Sequence, residues 1–386
     1  MKRLLVSGAP IQRRHALLLA AAGITGCGGG SGSGTDTAAL PGTGGTGIYV
    51  AGPISGFGSV ILKGIKFDDQ AASDAGRIMV DGARVASDSL RLGMIASVAG
   101  QQLSGQGGQA TASSIEVWSI ARGRVMQMEN GVLTVAGMSI QTDANTVFDG
   151  ISGLANLRED MGVVVWGLQA GATGWTATRL ARITDVITTA ATGLVTAREG
   201  HLYVNGVRMY GSAVSTLAVG NWVRVQGQSP DGEGLALESF NVLQGDATGA
   251  VADGRLEIEG YATSDLRNGL FQLGQWQVDA TAIHPAVTVT VGEHLEVSGT
   301  FSNGVLRAQT LYLDDDSGAK EMEIEAKIES FTSLGNFVLR GQRCDASGPD
   351  VLIPAGVAQR LAQGVKVKVV GSVSGDVLLV QQLEIA

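Results

Sequence analysis

Apolar and polar residues alternate with a period of two along most of this chain. In Val365-Lys366-Val367-Lys368-Val369 the valines fall on one side and the lysines on the other. Val223-Arg224-Val225-Gln226, Leu295-Glu296-Val297-Ser298 and Glu323-Ile324-Glu325-Ala326-Lys327-Ile328-Glu329 follow the same rule. Such alternation predicts strands with one buried and one wet face, and the charges of the last run guard against edge-to-edge association. Turn dipeptides punctuate the runs: Asn130-Gly131, Glu199-Gly200, Asn268-Gly269 and Gly335-Asn336 in one position, Asn303-Gly304 and Gly375-Asp376 in another. Asn-Gly between alternating runs is a strong hairpin signal, because both residues tolerate the positive φ of the tight turn.

The pattern recurs. Leu361-x-x-Gly364 followed by a strand to Gly371 returns as Leu217-x-x-Gly220 to Gly227, Leu90-x-x-Gly93 to Gly100, and Gly292 to Gly299 without the leucine. A shortened form runs Gly162-Val163-Val164-Val165-Trp166-Gly167. Ahead of each lies a strand–turn–strand with a central glycine: Gly64, Gly137, Gly206, Gly274 and Gly341. That glycine marks a second tight turn, a bulge or a sharp bend. The repeat length of about 70 residues implies one small folding unit used five times.

Five short strands per unit predict an all-β chain of five tandem β-barrels, small, five-stranded and OB-like. The expected boundaries are 48–120, 121–187, 188–244, 245–316 and 317–386. A five-bladed β-propeller is the alternative, although its blades usually need only ~40–45 residues. A unit this size buries only ~60 % of its unfolded surface, so neighbours should support one another.

The N-terminus reads differently. Lys2, Arg3, Arg13 and Arg14 precede the short apolar run Ala16-Leu17-Leu18-Leu19-Ala20-Ala21-Ala22-Gly23, and Ile24-Thr25-Gly26-Cys27 follows. A basic start, an apolar core and small residues make a signal peptide over 1–26. The apolar run is far shorter than the ~20 residues of a membrane-spanning helix. The tetrapeptide ending in Cys27 resembles a bacterial lipobox, which implies lipidation at Cys27. Arg13-Arg14 fits both general secretion and twin-arginine export. Residues 27–47, rich in Gly, Ser and Thr, form a flexible tether. Gly28 stands where an Asp marks inner-membrane retention in lipoproteins, and this resemblance places the protein at the outer membrane facing the periplasm.

The first unit, Gly52-Pro53-Ile54-Ser55-Gly56-Phe57-Gly58-Ser59-Val60 through Gly64-Ile65-Lys66-Phe67-Asp68 to Leu90-x-x-Gly93-Met94, resembles a bacterial lipoprotein family. That family is built of tandem repeats of domain of unknown function 5666. The resemblance is strongest in this unit and weaker through the rest of the chain. It implies fold and location and brings no activity with it.

Composition narrows the partners. The 386 residues include 57 glycines and only 16 % charged residues, with a net charge of −9. Losing the four basic residues of the leader makes the chain more acidic still. Phosphate backbones would repel it, so nucleic acid is not an expected partner. Membrane contact would come through the lipid, and an envelope protein or a cell-wall polysaccharide is the expected partner.

Candidate chemistry is sparse. His201 reads as a solvated turn residue. His284 and His294, with Glu293 and Glu296 nearby, outline a metal site that has no His-x-His or Cys pair to anchor it. Asp314-Asp315-Asp316 reads as a solvated linker and lacks the alternate spacing of a calcium loop. Asp68, Asp143, Asp279 and Asp345 recur at one place in four units, which suits turn capping. Cys344 has no histidine near it in sequence and reads as a half-buried apolar thiol. Gly105-Gln106-Gly107-Gly108 lacks the Lys-Ser/Thr of a phosphate loop. Trp118, Trp166, Trp175, Trp222 and Trp276 read as packing residues, or as a sugar-stacking face if several align. The reading is a lipid-anchored envelope scaffold, a semi-rigid array of barrels with no cofactor. A saccharide-binding module is the second reading, and a metal-dependent enzyme the third.

Overall fold

The structure, a computed structural model, describes residues 3–4, 47–103, 108–171, 174–186, 188–229, 234–243, 254–284, 286–314 and 318–386. It is almost entirely β. The third unit shows the pattern most simply, with strands Thr189–Arg198, His201–Val204, Val207–Tyr210, Trp222–Gln228 and Gly234–Val242. The first three form a meander, the third runs parallel to the fifth, the fifth pairs antiparallel with the fourth, and the fourth returns to the first. The ring is therefore closed.

The same order closes the first unit and the second. In the fourth unit one bridge, Ala262 to Leu273, joins the first and second strands. In the fifth the opening strand is broken into Met322–Lys327 and Ser330–Ser333. Closed barrels replace the propeller alternative: the parallel third–fifth pairing closes each unit on itself, whereas a blade is an open antiparallel sheet.

The two glycines of the repeated frame have separate jobs. The first sits in the left-handed region at Gly93, Gly220, Gly292 and Gly364, with φ of 76°, 89°, 91° and 87°. Its N–H donates to a carbonyl of the opening strand, and an N–H of that strand returns a bond to the residue after the glycine, as in Gly220 to Val195 (2.9 Å) and Val195 to Asn221 (2.8 Å). In the second unit Asp160 holds this place, with φ of 64° and the same reciprocal bonds to Val125. The strand there is of full length, Gly162–Ala170, and not shortened; an aspartate merely stands in the glycine's position. Leu90, Leu157, Leu217 and Leu361 are buried three residues earlier, and Val289 fills that place in the fourth unit.

The second glycine lies at a β-bulge in every unit: Gly100, Gly167, Gly227, Gly299 and Gly371. A Cβ at Gly299 would lie 1.9 Å from the carbonyl oxygen of Arg307 on the neighbouring strand. The close approach lets the strand bend as a small barrel requires. The central glycines lie in tight turns, with positive φ at Gly64, Gly137, Gly206, Gly274 and Gly341.

The barrels do not form a linear string. Strand Gly47–Phe57 of the first unit runs parallel to Arg255–Tyr261 of the fourth and to Met322–Lys327 of the fifth. Strand Ala121–Glu129 of the second pairs with Thr189–Arg198 of the third. Pairing therefore yields one sheet of ten strands from units two and three, and another of nineteen from the rest. One apolar core spans units one and five with Val147, Val164 and Trp166 of unit two. A second fills units two and three, and a third fills unit four with Tyr49 and Ala99 of unit one. Arg3–Leu4, expected to lie outside the fold, adds a two-residue strand to the free edge at Tyr312 and Leu313, where extended backbone finds open hydrogen-bonding groups. Cys27 and the tether up to 46 lie outside the described residues.

Candidate functional site

Four tryptophans from four different barrels meet at one cleft. Trp118 follows strand Gln109–Val117, Trp175 lies in Gly174–Ile183, Trp222 opens Trp222–Gln228, and Trp276 opens Trp276–Asp279. All four line a cavity of about 140 Å³. Trp175 and Trp222, with Gln169, Gly274 and Gln275, also line a second one of about 690 Å³ beside it, which Trp118 and Trp276 do not reach. Trp175 is buried, whereas Trp118, Trp222 and Trp276 are half-buried. Tyr49 and Phe301 hold the Trp276 ring edge-on, with centroids 6.1 and 5.5 Å away. Trp166 packs in the core and stands outside the cleft. Gln169, Gln272 and Gln275 add amides, and Glu116 and Glu259 add carboxylates. Among the described lining residues there is no lysine, arginine or histidine.

Behind this cleft lies a buried charge cluster. Lys63, in the turn before Gly64, has a fully buried side chain with its ammonium 3.3 Å from Glu296 and 3.7 Å from Glu259. Lys320 reaches Glu259 at 3.0 Å and Asp314 at 3.2 Å. His294 places Nε2 3.3 Å from Glu259 and stacks on Tyr261 at 4.3 Å. Burial alone would push the Glu259 carboxyl up. Lys63 above all, then the hydrogen bond with His294 and the charge of Lys320, outweigh burial and hold it well below the usual range. Burial would likewise push Lys320 down, but Glu259 and Asp314 hold it above its ordinary value. Glu257, next along the strand face, is pushed up by burial.

Glu259, His294 and Asp314 have ligand atoms within 4.8 Å of one another. Ammonium groups already supply the positive charge a metal would bring, because Lys320 sits on both carboxylates. The arrangement works as an electrostatic clamp joining units one, four and five.

The residues singled out from the sequence are placed as follows. His201 is exposed, 3.4 Å from Arg208. His284 is exposed while His294 is buried, and Glu293 accepts a bond from the Thr290 N–H. The two histidines, which the sequence offers as a weak outline of a metal site and no more, are not brought together with Glu293: His294 lies beside Glu259 and Asp314. Asp314 is not a solvated linker residue, because Lys320 folds back onto it; Asp315 and Asp316 lie outside the described residues. Asp68, Asp143, Asp279 and Asp345 each accept the N–H two residues on, at 3.0, 2.9, 3.0 and 2.8 Å, as turn capping requires. Cys344 is buried rather than half-buried, and burial pushes its thiol up to about 12. Of Gly105-Gln106-Gly107-Gly108, the first three lie outside the described residues.

Lys63, Glu259 and Lys320 had no sequence signal. Each stands at a position that reads as solvated, and the covering barrel comes from far along the chain. Arg224 shows the same effect: its strand alternates as read, but the outward face is covered and Arg224 is 1 % exposed.

Residues 122–181 match the family model described as Domain of unknown function (DUF5666). The match covers one closed barrel, the second, nearly from end to end. The resemblance seen in the sequence was strongest in the first unit. That unit carries a helix, Gln70–Asp74, and an extra hairpin, Ile78–Val80 with Ala83–Arg84, between its third and fourth strands. No curated protein and no solved structure matches the chain.

Proposed function

We propose that this chain is a non-catalytic binding scaffold of the cell envelope, held to the membrane by a lipid on Cys27. In this reading residues 1–26 are a signal peptide and 27–47 a tether. Beyond them stand five tandem OB-like barrels facing the periplasm from the outer membrane. The order of strand pairing, with a parallel third and fifth strand in each of five stretches, supports the OB-like assignment.

One observation carries the non-catalytic reading. The polar groups that converge, Lys63, Glu259, His294, Asp314 and Lys320, neutralise one another between barrels. A catalytic constellation needs groups directed at a substrate. The open surface is instead aromatic, which suits binding.

Membrane fractionation with Cys27→Ser tests the anchor. The wild-type protein should sediment with membranes and take up labelled fatty acid, and the variant should do neither. A variant that stays in the membrane fraction overturns the lipid-anchored reading.

A further inference from the structure

We infer that the outer face of the third barrel is a docking surface for an extended segment of a partner protein, one that carries apolar side chains at one end and carboxylates at the other. The inference deepens the binding-scaffold reading, on which it rests, by naming the face and the chemistry of the partner.

Strand register puts the residues together. Thr196 lies opposite Tyr203, Arg198 opposite His201, and Tyr203 opposite Arg208. Residues opposed across a sheet share a face. Val195, Val204 and Met209 alternate with them and are buried, so this face is the outer one. Arg198, His201 and Arg208 are exposed on it, and Tyr203 is half-buried. The Arg198 guanidinium lies over the Tyr203 ring, 4.9 Å from its centroid. Arg208 Nη2 lies 3.4 Å from both ring nitrogens of His201. Among the described residues neither guanidinium is in an ion pair, and Glu199, which follows Arg198 in the turn, is exposed. In a chain of net charge −9, two unpaired arginines on one face are a local excess of the opposite sign.

The same face runs into an uncharged cavity. Leu194, two residues before Thr196, is 41 % exposed and lies opposite Trp222. Leu194, Thr196 and Trp222 line the cavity of about 690 Å³, whose described walls carry no ionisable side chain. Leu194 and Arg198 stand ~13 Å apart, four strand residues at ~3.4 Å each. Trp, Tyr and Arg are the residue types that anchor protein interfaces, from which acids are depleted. Charge then selects the partner. Carboxylates meet the free forks of Arg198 and Arg208, while apolar side chains about four residues away sit beside Leu194 and Trp222.

The test is fluorescence anisotropy of dye-labelled peptides titrated with the purified full chain in detergent. The probe is an extended peptide with Leu and Trp at one end and two Glu residues at this spacing towards the other. In two control peptides Gln or Lys replaces each Glu. The acidic peptide should bind with a Kd of ~0.1 mM or tighter. It should bind at least ~10-fold more tightly than the Gln peptide, and the Lys peptide should bind more weakly still. Raising salt from ~0.02 to ~0.3 M should loosen the acidic peptide at least ~3-fold. Arg198→Glu and Arg208→Glu, both at exposed positions, should each keep the melting temperature and weaken it at least ~10-fold. Arg360→Glu makes the same charge change at an exposed position of the fifth barrel and should keep affinity. Leu194→Ser should weaken the acidic and the Gln peptide alike.

The proposal is overturned if the acidic peptide fails to bind at ~1 mM, binds no better than the Gln peptide, or survives both arginine reversals. A galacturonic acid tetrasaccharide that binds more tightly than the peptide through the same arginines overturns it in favour of an acidic glycan. Salt-sensitive self-association in sedimentation, abolished by Arg208→Glu, overturns it in favour of a second copy of the chain. Its failure is separable from that of the anchoring reading. Titration does not depend on Cys27, and fractionation does not depend on this face.

Discussion

Arg224 Nη2 lies 3.0 Å from Asp81 Oδ2, and this pair joins the third barrel to the first across 143 residues of sequence. Arg224 also donates to the Ser119 carbonyl at 2.7 Å and to Thr192 Oγ1 at 3.1 Å. Asp81, in a hairpin turn, accepts the Ser119 N–H at 2.7 Å. Burial lowers the Arg224 pKa, yet Asp81 opposes the shift. Removing Arg224 leaves Asp81 with its bonds from Ser119 but takes away its cation and the bonds Arg224 makes to Ser119 and Thr192. Arg224→Ala should therefore cost about 3 kcal/mol, read as a lower denaturant midpoint. Arg224→Lys should recover only part of it, because an ammonium cannot make the forked set of bonds.

The bulge glycine is a second test. Gly299→Ala places a Cβ against the Arg307 carbonyl and should destabilise the protein by about 3 kcal/mol. Gly318→Ala, with open space around the site, should change stability by less than ~0.5 kcal/mol. Thermal unfolding of the pair checks this, and equal effects would remove the bulge argument.

Asp160 provides a test in the opposite direction. It occupies the left-handed corner that glycine holds in the other four units. Left-handed backbone costs ~1–2 kcal/mol for a residue with a Cβ, and the chain entropy of glycine returns ~0.5–1 kcal/mol of that. Asp160→Gly should leave stability unchanged or raise it by up to ~1 kcal/mol, whereas Asp160→Val should lower it. Chemical denaturation of both variants reads the sign.

Glu259 sets an acid limit. Its folded pKa is depressed below its ordinary 4.5, so the unfolded chain takes up a proton before the folded one does. The stability from its ion pairs is present above pH ~4.5 and is lost as pH falls from there through the folded pKa. Glu259→Gln should cost about 3 kcal/mol at neutral pH, since Lys63 and Lys320 lose their shared anion. The difference between variant and wild type should shrink below pH ~4.5. Melting temperatures between pH 7 and 2 check both points.

Cys344 should be inert in the folded protein. A thiol buried in the core with its pKa pushed up to about 12 presents no thiolate near neutrality. An aromatic disulfide reagent should leave it unmodified under native conditions and react once the chain is unfolded. Fast native labelling would contradict its burial.

Much of the fold is legible in local pattern. Hairpin positions at Asn130-Gly131, Glu199-Gly200 and Asn268-Gly269, the corner glycines and the capping aspartates all appear where the residues point. Each depends on φ preference or on a bond two residues away, so a short window contains the cause. The second unit was misread only because Asp160 does a glycine's work. The cleft and the charge clamp were not legible. Lys63, Glu259 and Lys320 sit on strand faces and turns that alternate as solvated positions do, and no periodicity records that another barrel covers them.

The amino-acid sequence by itself determined the strands and their tight turns, because backbone preference and period-two burial act within a few residues. Only the tertiary structure decided how the barrels face one another. Strand Gly47–Phe57 could add its edges to any exposed strand; it pairs with the fourth and fifth units, and this, with the pairing of units two and three, brings four distant tryptophans to one cleft. That arrangement depends on edge pairing and ion pairs between residues far apart in the chain, such as Arg224 and Asp81, which only the closed fold brings within reach.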